Sequence, residues 1–197
     1  GPAGGLFVPA YFLWGGKVAY RLDGLYTGVL LLVAALIARH PGKRFLELGR
    51  SCVLQPYRNK RTVELLWHGI WAYVLRHRID VMFGCASLEG TDPRRLATPL
   101  AFLHHSALAT GEWEVRAVAD RHVGMDRISR EAIDERAALR VLPPLVKGYL
   151  RLGAMIGDGA VLDHQFGTTD ICIVMPVEKL NPRYVDYYGA DASRHAG

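Results

Sequence analysis

The chain has 197 residues, half of them apolar and 22% charged. That is enough for one domain with a buried core, and it excludes general disorder. Twenty-four Lys and Arg against nineteen Asp and Glu leave a net charge of +5, which points to an anionic partner without choosing among phosphate, an acidic carrier, nucleic acid and a membrane surface.

The chain opens on Gly1-Pro2 with no visible signal peptide, which reads as a processing scar or a fragment edge. Residues 1–24 are Gly-rich and aromatic with little periodicity, apart from a short strand pattern at Val18–Leu22. Leu25 to Ala38 is apolar but only fourteen residues long. A membrane span needs about 20, so a buried helix is expected. Pro41-Gly42 marks a turn, and Phe45 to Leu54 reads as a strand whose alternation sets Glu47, Gly49 and Ser51 on one face. Thr62 to His77 is the clearest helix, with Val63, Leu66, Trp67, Ile70, Trp71 and Val74 on one stripe. Val81 to Ser87 is a continuous apolar strand, as in a sheet covered on both faces, and completes a βαβ-like unit.

Residues 88–141 read as an insertion containing a helix at Leu96–Leu108 and another at Ser129–Arg140, with Ser129 as its cap. After Pro143-Pro144 a short helix is expected at Leu145–Leu152, then a turn at Gly157-Asp158-Gly159 and a strand at Asp170–Met175. The three cysteines, Cys52, Cys85 and Cys172, lie in apolar runs without metal spacing, so they are expected to be buried and reduced in a cytoplasmic protein.

Several motifs are missing. There is no GxxxxGK[ST] phosphate loop, Val53 breaks the G-x-S-x-G elbow begun by Gly49-Arg50-Ser51, and no His precedes an Asp at the spacing of glycerolipid acyltransferases. The positive signal is strand, basic loop, helix. Arg58, Lys60 and Arg61 crowd a helix N-terminus, where cations are unfavourable without an anion and free N–H groups hold phosphate. A solvated basic loop is the plain alternative.

The run Glu47-Leu48-Gly49-Arg50-Ser51-Cys52-Val53, followed by Tyr57-Arg58-Asn59-Lys60-Arg61-Thr62, resembles the L-ornithine N-alpha-acyltransferase family, a GNAT-like group sometimes called hemolysin-like. The likeness continues through Gly90-Thr91-Asp92-Pro93, Phe102-Leu103-His104-His105, Leu142–Gly159 and Asn181–Ala192, covering roughly residues 36–192. The E-L-x-R strand is also similar to that of acyl-homoserine-lactone synthases. The resemblance implies an α/β GNAT-like fold in one domain, with a mixed central sheet flanked by helices. It also implies transfer of a 3-hydroxyacyl group from acyl carrier protein to the alpha-amine of L-ornithine in the cytoplasm of a bacterium. No resident cofactor is implied; the donor is the carrier's 4'-phosphopantetheine arm, entering where two parallel strands splay apart. Arg58, Asn59, Lys60, Arg61 and Thr62 would meet its phosphate. Arg61 and Val63 replace the glycines of the general GNAT loop, which favours a carrier's single phosphodiester over coenzyme A. The family carries a longer N-terminal region than the roughly 44 residues before Phe45, so N-terminal elements of the fold are expected to be incomplete.

Glu47 is the candidate base, and its carboxylate could instead hold the ornithine ammonium or pair with Arg50. Backbone N–H groups from Ser51 to Val53 could polarise the thioester carbonyl. Arg50 could orient the acceptor carboxylate, Ser51 lies in the same substrate segment, and Asp170 either faces the acceptor or caps a turn. Tyr149 is a weak candidate acid beside a core role. His104-His105 lacks a third ligand at a recognisable spacing, so no metal is expected. A different class remains: a lipid-surface protein using its net charge, Arg76-His77-Arg78 and the apolar 25–38 stretch for peripheral membrane contact. Nucleic-acid binding finds no motif beyond charge.

Overall fold

The structure, a computed structural model, describes residues 34–49, 56 and 60–192. A helical segment at 34–39 (α1) leads into strand β1 (Phe45–Glu47), helix α2 (Lys60–His77) and strand β2 (Val81–Glu89). Helices α3 (Ala97–Ala107), α4 (Glu135–Val141) and α5 (Pro144–Leu152) precede the hairpin β3 (Met155–Asp163) and β4 (Thr168–Pro176), and α6 (Pro182–Ala192) follows. The sheet order is β1-β2-β4-β3. β1 and β2 are parallel, with Glu47 opposite Phe83, and the remaining pairs are antiparallel, so the sheet is mixed as expected.

The anticipated βαβ unit is present. Trp67, Trp71 and Val74 of α2 are buried, four and three residues apart, and pack on one sheet face with Leu46, Met82 and Ile173. The basic last turn of α2, Arg76 and His77, suits the negative end of the helix. There Arg44 Nη1 donates to the His77 carbonyl at 2.7 Å, tying the end of α2 to the start of β1. The N-terminus of α2 therefore points to the other end of the sheet, where β1 finishes. On the second sheet face the described residues form a smaller cluster: Phe45, Phe83, Cys172 and Val174 meet Leu36 of α1 and the segment carrying Trp113.

Four expectations are corrected. β2 is buried on both faces only from Val81 to Gly84; from Cys85 it alternates, and Cys85 itself is exposed. The 129–140 segment is not one helix: a 3-10 turn at Arg130–Ala132 gives way at Ile133, and α4 starts anew. Its cap is Asp134, whose Oδ1 accepts from Ala137 N at 3.0 Å, while the Ser129 side chain makes no cap bond. Gly157-Asp158-Gly159 is not a turn but a bulge inside β3. Ile156 and Ala160 pair with Ile173 and Ile171, so three residues of β3 oppose one of β4. Gly159 takes φ +86°, and a Cβ there would collide with the His122 ring. Finally, Asp170 lies within β4 rather than at a turn. Among the described residues no helix is long and apolar enough to cross a membrane.

Candidate active site

β1 approaches β2 closely and then ends. Leu48 N donates to Phe83 O at 2.7 Å, and a Cβ on Gly84 would sit 2.7 Å from the Leu48 carbonyl oxygen. Only glycine tolerates that crossing. Beyond it, Cys85 to Glu89 have no partner on this edge among the described residues.

Side chains two apart on a strand share a face, as do cross-strand partners. Glu47 faces with Phe83, hence with Cys85 and Ser87; Ser87 pairs with Asp170, and Cys85 with Cys172. The face that is apolar at Phe45, Phe83 and Val174 therefore turns polar and acidic where β1 ends. Asp170 is 8% exposed. Burial raises its carboxyl above the ordinary range, against the lowering effect of hydrogen bonds from Ser87 and Thr168, and Asp163 adds like-charge repulsion. Thr168 Oγ1 donates to Asp170 Oδ1 at 3.0 Å. Among the described residues no Lys, Arg or His side chain pairs with this carboxylate.

Cys85 has surface open to solvent, yet its sulfur lies against the sheet. Desolvation raises its thiol pKa most, followed by Cys172, Asp170 and Glu47. Two carboxylates, from β1 and β4, thus act on one thiol between them. The thiol stays protonated at neutral pH, which removes Cys85 as a nucleophile.

Glu47 and Asp170 are therefore brought to one face. Arg50, Ser51, Arg58 and Asn59 lie outside the described residues, as does the side chain of Lys60. Arg61 is exposed and Thr62 half-buried in the first turn of α2, which carries no acidic residue. Tyr149 is on the opposite, helix-covered face. Its ring meets Trp67 edge-on at 5.9 Å, and burial pushes its phenol up to about 12. It is a core residue.

Cys85 and Ser87 were missed as neighbours of these carboxylates, the polar alternation of CASLE being their only signal, and Thr168 at the start of β4 was missed with them. Asp126 was missed as a neighbour of His104-His105, and the three bring ligand atoms within 4.8 Å of one another. His105 Nε2, however, lies 3.0 Å from both Asp126 Oδ1 and the Ile128 carbonyl, so this nitrogen carries the hydrogen and donates. His105 and Asp126 are held as a hydrogen-bonded pair, and the His104 ring meets His105 edge-on at 5.2 Å.

Residues 5–68 match the family described as "Acetyltransferase (GNAT) domain". The L-ornithine N(alpha)-acyltransferase of Agrobacterium fabrum is 53% identical over 190 residues, 96% of this chain and 65% of the relative. Its namesakes in Rhizobium meliloti and Brucella abortus are each 54% identical over 187 residues, 95% of this chain and 63% and 66% of theirs. The chain is similar to these acyltransferases over nearly its whole length. It has the GNAT-type α/β fold, and it spans just under two thirds of the length of the curated relatives it matches. No solved structure matches it.

Proposed function

We propose that the protein acylates the alpha-amine of L-ornithine, taking a 3-hydroxyacyl group from the phosphopantetheine thioester of acyl carrier protein. The reading rests on Glu47 and Asp170 sharing one sheet face, four register positions apart along β2 with Cys85 between them, beside the end of the β1–β2 ladder. The names of the relatives support the acceptor.

Aminolysis of a thioester needs a neutral amine. Glu47 takes one proton from the alpha-ammonium, the neutral nitrogen attacks the carbonyl carbon, and as the C–S bond breaks the nitrogen gives up a second proton to the departing sulfur, leaving the amide and the free pantetheine thiol. A thiolate is a good enough leaving group that this last step asks little of the protein. Asp170 holds the second ammonium of ornithine, a role suited to a buried carboxylate that pairs with no cation among the described residues. The N-terminus of α2 with Arg58, Lys60 and Arg61 receives the phosphodiester of the carrier's arm.

The test is turnover of 3-hydroxyacyl carrier protein with a panel of amino acids and S-adenosylmethionine, products read by mass spectrometry. An ornithine-dependent amide is expected. Loss of a general base should lower kcat by about 10²–10⁴-fold in Glu47→Gln. Product with S-adenosylmethionine instead would transfer the assignment to lactone synthesis, and equal turnover in Glu47→Gln would remove Glu47 as the base.

A further inference from the structure

The corner between α4 and α5 is built differently from the rest of the surface. Residues 136–157 contain four cations, Arg136, Arg140, Lys147 and Arg151, and no acid. Within that span Leu139, Val141 and Leu145 are 41%, 64% and 45% exposed. Their exposure is enforced. Leu142 and Val146 are buried beside them, and Pro143-Pro144 turns the chain between the helices, so Val141 and Leu145 project from the corner. Next to it lies an open groove of about 800 Å³ whose lining includes Phe102, Leu150 and Met155, with Arg140, Lys147 and Arg151 around it.

We propose that this corner docks on an anionic phospholipid surface, the aliphatic side chains entering the acyl-chain boundary and the cations meeting the headgroups. Apolar residues that project beside Arg140, Lys147 and Arg151, with Glu135 one turn from Leu139 as the nearest acid along α4, approach the composition of an interfacial anchor. A folded protein partner would need a hollow matching the projecting corner, whereas a bilayer deforms around it. The groove adds an apolar recess at the same depth, with a charged rim. The corner lies at the opposite edge of the sheet from Glu47. Met155 begins β3, the edge strand farthest from β1, at the far end of the cross-strand row Glu47–Phe83–Val174–Met155, so docking there leaves the β1 edge free. The inference does not depend on which amine is acylated, and its test needs no turnover.

The experiment is flotation of the full chain with vesicles of phosphatidylcholine alone and of phosphatidylcholine mixed with phosphatidylglycerol. Binding is expected to the mixed vesicles only and to weaken with salt. Partitioning should fall about a hundredfold in Arg140→Ala/Lys147→Ala/Arg151→Ala and about tenfold or more in Val141→Asp/Leu145→Asp. The milder Val141→Ser, at an exposed position, serves if the double variant folds poorly; a several-fold loss is expected. Arg94→Ala/Arg95→Ala, on a distant exposed turn, should change little. Undiminished vesicle binding in the corner variants, or no binding to any vesicle, overturns the proposal. Loss of binding to an acidic carrier protein with vesicle binding intact also overturns it and assigns the corner to a protein partner.

Discussion

Asp170 illustrates how a buried carboxyl strains against its fold. Its pKa is raised, so the native state favours the protonated carboxyl. The stabilisation is therefore complete below the ordinary carboxylate range and is lost as pH rises through the folded pKa. Asp170→Asn keeps the shape and an acceptor for Ser87 and Thr168 without the charge. Its stability relative to the parent should increase with pH across that window and then level off, as urea titrations at several pH values would show. If the carboxylate holds an ammonium, the same variant should raise the KM for ornithine about 10–100-fold, the worth of a hydrogen bond to a charged group. Stability and affinity moving in opposite directions distinguish a binding carboxylate from a structural one. Glu47 and Asp170 were both named from the sequence as candidates. Their place on one sheet face was not legible, because it depends on register across three strands, which no local pattern encodes.

At the scale of elements, the sequence was most readable where periodicity is strong. α2 and β2 were found close to their limits, because a Trp-rich stripe and an apolar run each dictate one conformation. The bulge in β3 was misread, because Gly-Asp-Gly is turn chemistry unless a neighbouring segment satisfies its backbone. That segment is 115–117, where Ala117 N donates to Asp158 O and Asp158 N to Val115 O, both at 2.8 Å. Asp158 then accepts from Arg116 Nε at 3.0 Å with the His104 and His122 rings close by. The α4 cap was misplaced by five residues, since Ser129 and Asp134 are both good cap types and only tertiary packing chooses. Asp134→Ala should cost about 1 kcal/mol of stability in chemical denaturation. Gly84→Ala should cost about 1–3 kcal/mol by forcing Leu48 away from β2, and should lower acyl transfer beyond what the stability loss explains, because Glu47 sits on the displaced strand.

At the scale of the molecule, charge and layering matter more than single contacts. With a net charge of +5, capture of an acidic carrier should be steered. kcat/KM for the carrier is expected to fall about tenfold or more as salt is raised, while kcat at saturation changes little. The strand order β1-β2-β4-β3 sets the ladder end and the α4–α5 corner at opposite edges, so one body can hold a soluble donor and a lipid surface without either blocking the other. The layering itself was visible only in outline, since which segment covers the second face is decided by Trp113, far along the chain from Leu36. Among the described residues, twenty-four buried apolar side chains form the cluster on the helix-rich face and eight form the one beneath α1. Such asymmetry divides the molecule into parts that open at different free energies. Amide exchange should therefore resolve two classes. His40, Trp113 and Glu114, whose N–H groups bond only to nearby turn carbonyls, should exchange ahead of Leu100 and Ala138 on the helix-rich side. The protein would then breathe through the α1 cover that borders Glu47 and Cys85, while the helical half stays shut.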